Sequence, residues 1–456
     1  RGLRADGFDV AVVENGSLVR HSDAFPLIGY RPSLELDDPA ARRKHGLPPR
    51  PPRAVAGEDA DDAVLARATF DGVISTSADQ LAVAPGELTG EWTSGGRRFF
   101  HYATGRPVTP RFAIVSARYA VRRARQGGIA VEVYHDPAHA VNVDRMLRAA
   151  TTSLALFGRE FGTYPGRTLR LVEVPAYWGF GAYALPGLIL FPENRGFLTD
   201  ARDTSRIDLV ARRVAHEVSH QWWGHQVSAG ARPGASTLTE SLAKYSEQMV
   251  IRALHGEAHA ARVVEADLGR YVEGRTRDRD PEPPLSRVTA QPYLYYGKGA
   301  VVMQGLHGLL GEAAMNRALR RLVREHATPE AAPGVHTLVR SLQAEARPED
   351  RPLISDWLEQ VVIYDLRLDS AQIRPVPGGH AVTAHVTATR RTADGVLLPL
   401  DEWLELEAGT ITRHRVRSGA NVLRATVTSP PHEVRIDPRA RRVEIERADN
   451  VWTVSP

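Results

Sequence analysis

Val214-Ala215-His216-Glu217-Val218-Ser219-His220-Gln221-Trp222-Trp223-Gly224 holds two histidines four residues apart, with a glutamate directly after the first. Ile207, Val210, Val214, Val218 and Trp222 recur at steps of three and four residues, and this apolar stripe predicts a helix. Asp203, Thr204 and Ser205 offer capping oxygens at its start. Residues four apart on a helix share a face, about 5–6 Å from each other. His216 and His220 can therefore turn both imidazoles toward one zinc ion, with Glu217 beside them as general base.

The wider composition suits that chemistry. The chain has 456 residues, of which 43% are hydrophobic and 25% charged, as expected of a soluble globular protein with room for several domains. The formal charge is only +4 and the arginines are scattered, so no nucleic-acid footprint is present. Cysteine is absent, which excludes disulfides, thiolate-bound metals and thiol catalysis and leaves histidine and carboxylates as zinc ligands. Lysine occurs only at Lys44, Lys244 and Lys298. No run approaches the roughly 18–20 apolar residues of a membrane span, and no signal pattern opens the chain, so it reads as soluble. It begins at Arg1 rather than Met, which suggests a portion of something longer.

Residues 1 to 65 read as irregular, with Gly46-Leu-Pro-Pro-Arg-Pro-Pro-Arg53 as a stiff linker. From Thr69 to His135, β-rich runs such as Phe112-Ala-Ile-Val-Ser and Ile129-Ala-Val-Glu-Val-Tyr alternate with turn residues. A helix is expected over Val141–Phe161, strands over Leu169–Val174 and Gly187–Phe191, then the motif helix and a series of helices to Ala346. After Tyr364 the pattern returns to strand. The fold class is multidomain α+β, with a segment and β domain over 1–137, a mixed α/β block over 138–366 and a β domain over 367–456.

A catalytic zinc needs a third protein ligand. His225 lies one residue off the metzincin spacing H-E-x-x-H-x-x-G-x-x-H, where Trp223 and Gln226 replace the expected glycine and histidine. His225 therefore reads as a helix-end residue or as one that supports the site from behind the ligands. His135 and His139 sit in a proline-containing loop without an evident third partner. Glu240, in Thr237-Leu-Thr-Glu240-Ser-Leu-Ala-Lys-Tyr-Ser-Glu247, is the better candidate, although Thr237 and Glu240 also match a helix capping box.

These pieces together resemble the zinc aminopeptidase family that includes aminopeptidase N and leukotriene hydrolase, a gluzincin family. His216-Glu217-Val-Ser-His220-Gln-Trp-Trp-Gly224 is similar to its H-E-x-x-H-Q-W-x-G, and Glu240-Ser-Leu-Ala-Lys-Tyr245-Ser-Glu247 to its E-G-F-A-x-Y-x-E. Tyr296-Gly-Lys298-Gly299 is similar to its Y-x-K-G, and Gly181-Ala182-Tyr183-Ala184-Leu-Pro-Gly187-Leu-Ile stands where the family has G-A-M-E-N-W-G-L-I. Ser75–Gly86 and Tyr134–Met146 resemble a narrower group in which the peptidase follows the membrane part of bacterial ABC-type permeases. The chain departs from the pattern in three places. Glu240 lies one residue further from His220 than is usual, which suggests a loop insertion between Gly224 and Thr237. Ser241 replaces a glycine. The large C-terminal helical domain of many members has no room here.

The resemblance implies a thermolysin-like catalytic block with one Zn2+ per chain held by His216, His220 and Glu240. It implies Glu217 as the base, Tyr296 as the oxyanion donor, and Gly181, Ala182, Tyr183 and Ala184 as the substrate-binding strand. Lys298 would be a supporting residue. The expected partner is a peptide substrate, and the permease likeness implies tethering to a membrane through a portion outside this sequence. Ala184 takes the place of the glutamate that holds a substrate's free amine in the family, so altered amine recognition is expected unless Glu193 substitutes through a slipped strand. The alternative is a peptide-binding or sensory module that retains the zinc site and serves a permease.

Overall fold

The computed structural model describes residues 12–13, 16–21, 36, 39–49, 67–176, 181–230, 232–328 and 332–454. The fold is mixed α/β, with five sheets among the described residues. The chain divides into two compact units, residues 1–239 with 320–334 and residues 240–319 with 335–456.

The first unit is organised on a five-stranded sheet. Ile129–His135, Thr168–Val174 and Leu188–Pro192 run parallel, and the antiparallel strands Ala120–Gln126 and Tyr183–Leu185 close its two edges. The central strands are covered on both faces: Leu169, Leu171, Val172 and Ile189 are all fully buried, and even the charged Arg170 and Glu173 beside them are buried. Helix Val143–Glu160 buries Val143, Met146, Leu147, Ala150, Leu154 and Phe157, one stripe at helical spacing. It packs against the motif helix Leu209–Ser219. The expected strands at 169–174 and 187–191 and the expected helix at 141–161 form within two residues of their predicted limits.

Two further sheets belong to this unit. Asp71–Ser77, Arg97–Ala103 and Glu87–Ser94 form one. The other pairs Gly16–Arg20 with Ala113–Ala117, which also pairs with Leu81–Val83. The strand at 16–20 corrects the irregular reading of the first 65 residues, and helix Pro39–Lys44 corrects it again. Leu18 is buried in the core shared with Val83, Val115, Tyr134 and Leu190. A methyl carbon at Gly16 would stand 2.4 Å from the Ser116 carbonyl oxygen, so the close approach needs glycine. Residues 50–53 of the proline-rich linker lie outside the described residues.

The second unit begins with helices Leu242–His255, Glu257–Arg277 and Gly299–Leu310, and adds Val335–Gln343 and Arg351–Glu359. Its two sheets are built on the hairpin Val362–Val376 with Gly379–Thr392 and on the hairpin Asp401–Glu407 with Ile411–Arg417. Inward residues alternate along these strands, as at Val382, Ala384, Val386 and Ala388, which gives the period of two read from the sequence. No helix among the described residues is long and apolar enough to cross a membrane.

Candidate metal centre

The motif helix starts later and ends sooner than its apolar stripe. Its cap is Asp208, whose Oδ1 accepts the Ala211 amide at 3.0 Å while Oδ2 takes Arg145 at 2.6 Å. Asp203, expected as part of the cap, instead closes a local turn through the Ser205 amide. The helix leaves α geometry after Ser219: the amides of Trp222 and Trp223 both donate to the Ser219 carbonyl, and Gly224 turns at φ +118°. Trp222 and Trp223 are fully buried in this turn, against Phe157 at 5.5 Å and Phe161 at 5.1 Å. They fix the end of the helix, and so the last turn that carries His220.

The rings of His216 and His220 stand 4.9 Å apart, nearly perpendicular. One donor atom from each, with a carboxylate oxygen of Glu240, lies within 4.8 Å of the others. His220 Nδ1 is 3.0 Å from the Trp223 carbonyl oxygen. Because that oxygen can only accept, Nδ1 carries the proton and Nε2 keeps its lone pair. Two imidazoles and one carboxylate are the donor set of a His2Glu zinc site, and the chemistry of the group therefore fits such an ion.

Glu240 is carried by a π-helical turn, Thr237–Ser241, that leads into Leu242–His255. Helical structure already begins at Ala235, so Thr237 is not the N-cap that a capping box requires. A π turn holds about one residue more than an α turn. The one-residue excess before Glu240 fits inside this turn, where the sequence suggests the preceding loop.

Tyr296 also sits in a π turn, Tyr293–Lys298. Lys298 is buried and bonds Glu282 at 2.5 Å, while Glu282 accepts Tyr271 OH at 2.8 Å. Burial pushes the Lys298 ammonium below its usual range, against the opposing pull of Glu282. Ser241, the departure from glycine, donates its Oγ to the Tyr295 carbonyl at 2.8 Å. The Tyr296 ring meets Tyr295 edge-on at 4.7 Å, and the Arg270 guanidinium lies over it at 4.6 Å.

Tyr183–Leu185 is an edge strand in regular register, with Tyr183 opposite Leu190 and Ala184 opposite Ile189. The slip that would exchange Ala184 for Glu193 is absent. Glu193 Oε1 accepts the Ala176 amide at 3.3 Å, and its carboxylate groups with His139 and Glu173. His139 thus has partners that its loop sequence did not disclose; Glu173 also accepts the Asp136 amide, and burial raises its carboxyl pKa.

Two residues of the edge strand's support were not assigned from the sequence. Gln221 accepts the Gly187 amide at 2.9 Å and donates to the Leu185 carbonyl at 3.0 Å, clamping both sides of the hairpin turn. His225 Nε2 donates to the Ala184 carbonyl at 3.2 Å, and burial holds its pKa down to about 3, with His220 adding to the effect. The only sequence signal was their place directly behind the zinc motif. A cavity of about 410 Å3 lined by Arg67, Tyr164, Gly187, Gln221 and His225 contains none of the predicted ligands or catalytic residues.

Comparison with known proteins matches residues 146–357 to the peptidase family M1 domain. The matched residues contain the H-E-x-x-H motif, Glu240, Tyr296 and the edge strand. The chain is similar to aminopeptidase M1-B of Oryza sativa subsp. japonica, 26% identical over 262 residues, 54% of this chain and 30% of that protein. It is similar to aminopeptidase M1 of Arabidopsis thaliana, 24% identical over 311 residues, 66% and 35% of the two chains. With endoplasmic reticulum aminopeptidase 2 of Homo sapiens it shares 27% identity over 210 residues, 43% and 21% of the two. The chain thus spans about a third or less of the length of these three relatives.

Proposed function

We propose that the chain is a zinc-dependent peptidase in which His216, His220 and Glu240 hold the ion. The reading is carried by the convergence of their three donor atoms within 4.8 Å. Zinc bound there would polarise a peptide carbonyl and acidify water. Glu217 is the base: it takes a proton from the attacking water and returns it to the leaving amine. Tyr296 is the hydrogen-bond donor to the oxyanion. Gln221 and His225 act through the edge strand, whose backbone would align an extended peptide. Purified protein should contain about one zinc per chain and cleave peptides in a chelator-sensitive manner. Full metal content with no turnover of any peptide would favour a binding or sensory module, including one attached to an ABC-type permease.

Ala184 sets the kind of peptidase. A methyl group cannot hold an ammonium, and a charge-assisted hydrogen bond is worth about 1.5–3 kcal/mol. Selection for a free N-terminus should therefore be weaker by roughly ten- to a hundredfold than with a glutamate there. The test is a matched pair of peptides, free and acetylated at the N-terminus, on the parent and on Ala184→Glu. Comparable rates on the parent, with a new preference for the free amine in the variant, are expected. A strong parental preference for the free amine would overturn this assignment.

A further inference from the structure

Arg270 stands on the exposed side of helix Glu257–Arg277 with its guanidinium 4.6 Å from the centre of the Tyr296 ring. An arginine stacked on an aromatic face is held in place through its flat surface, while its N–H groups, which lie in the plane at the edge, stay available. Those groups have no ion-pair or hydrogen-bond partner among the described residues. The two acids that could neutralise it along its own helix are committed elsewhere. Asp267, three residues before, pairs with buried Lys244 at 2.8 Å, and Glu273, three residues after, pairs with Arg277 at 2.6 Å. The result is an ordered, solvent-facing cation fixed against the residue assigned to the reacting carbonyl. An exposed arginine without such a stack would disperse over many rotamers and lose side-chain entropy on binding.

We propose that Arg270 is a specificity-determining residue that binds a carboxylate of the substrate, so that the enzyme prefers peptides with an acidic group near the bond being cut. The inference rests on the peptidase reading and on Tyr296 lying at the scissile carbonyl. A planar fork of N–H donors matches a carboxylate in two parallel hydrogen bonds, which a lysine could not reproduce. The carboxylate can come from an Asp or Glu side chain or from the C-terminus of a short peptide. The same cation repels a substrate ammonium placed close to it.

The experiment uses zinc-loaded protein and peptides blocked at the N-terminus. One arm compares glutamate with glutamine at each position flanking the cleaved bond, with the C-terminus amidated. The other arm compares a free C-terminal acid with its amide in an otherwise neutral peptide. The readout is the ratio of kcat/KM for the acidic peptide to its neutral twin, so a general loss of activity in a variant cancels. The parent should show a ratio on the order of ten- to a hundredfold in at least one arm, and the arm identifies the source of the carboxylate. Arg270→Gln should bring that ratio to about one, Arg270→Lys should restore part of it, and Arg270→Glu should turn the preference toward a lysine-bearing peptide. A parental ratio near one in both arms, or an unchanged ratio in Arg270→Gln, overturns the proposal while the peptidase reading stands. No cleavage by the zinc-loaded parent of any peptide, whether blocked or free at the N-terminus, overturns both.

Discussion

Around Tyr296, glycine stands at 297 and at 299, and contact requires both. A methyl carbon at Gly297 would lie 2.8 Å from the Tyr271 amide nitrogen and 2.9 Å from the Asp267 carbonyl oxygen; at Gly299 it would meet Ser241 Oγ at 2.1 Å. The first obstacle is backbone and the second is a small side chain. Gly299→Ala should therefore lower turnover and stability, and the double variant with Ser241→Gly should recover much of the loss, a coupling read from a double-mutant cycle of melting and kinetics. Gly297→Ala has no such remedy and should fold poorly, by about 1–3 kcal/mol or more. Glu217→Gln and Tyr296→Phe should keep full zinc content and lose turnover, the latter by about a hundred- to a thousandfold. Glu240→Ala should lose zinc and His225→Ala should keep it, as measured by metal analysis. His225 is already engaged with a backbone carbonyl, so its loss should loosen the edge strand and raise KM. A tyrosine variant with parental turnover would show that the oxyanion donor lies elsewhere.

Helices with a long apolar period were legible in the sequence, and so were the short buried strands Thr168–Val174 and Leu188–Pro192. Val143–Glu160 and Gly299–Leu310 follow from their stripes, whereas Arg351–Glu359 is too short for its period to stand out from the flanking charged residues. The motif helix was found, but its end was missed, because Trp222 keeps the apolar spacing after the backbone has turned. Cap identity was also misplaced: Asp203 and Asp208 are equally plausible in sequence, and only Arg145, far away in the chain, distinguishes them. Helix Gly299–Leu310 also carries His307, whose two ring nitrogens are shielded and without partners among the described residues. Burial, with Arg252 and Arg441 nearby, lowers its pKa to about 4. Between pH 6.5 and about 4 the unfolded chain binds a proton that the folded chain refuses, so acidification in that window removes stability. His307→Leu should remove this contribution. Its stability relative to the parent should rise as pH falls, by up to about 1.4 kcal/mol per unit, measured by denaturant titration at pH 7 and pH 5. A constant difference between the two pH values would show that His307 does not titrate in this way.

At the scale of the molecule, His216, His220 and Glu240 could be singled out as candidate ligands because metal chemistry demands fixed residue types at fixed spacing, whereas Tyr296 was nominated by the family resemblance alone. Pairings across long separations were not legible. Gly16–Arg20 gives no local signal, and its partner Ala113–Ala117 lies about a hundred residues away. Metal binding should stabilise the whole fold, since the donors must converge before they can bind. Stripping zinc with a chelator should lower the melting temperature, and adding zinc back should restore it; an unchanged melting curve would argue against the ion at this site. The π turn at Thr237–Ser241 has a consequence for which deletions the chain tolerates. Deletion of one codon before Glu240 would relax the turn to α geometry and give the shorter spacing of the family pattern, with Glu240 still in register with the downstream helix. Deletion of Ser241 instead would rotate Glu240 by about 100° relative to that helix and turn the carboxylate off the face it now occupies. Loss of one codon is therefore harmless on one side of Glu240 and costly on the other.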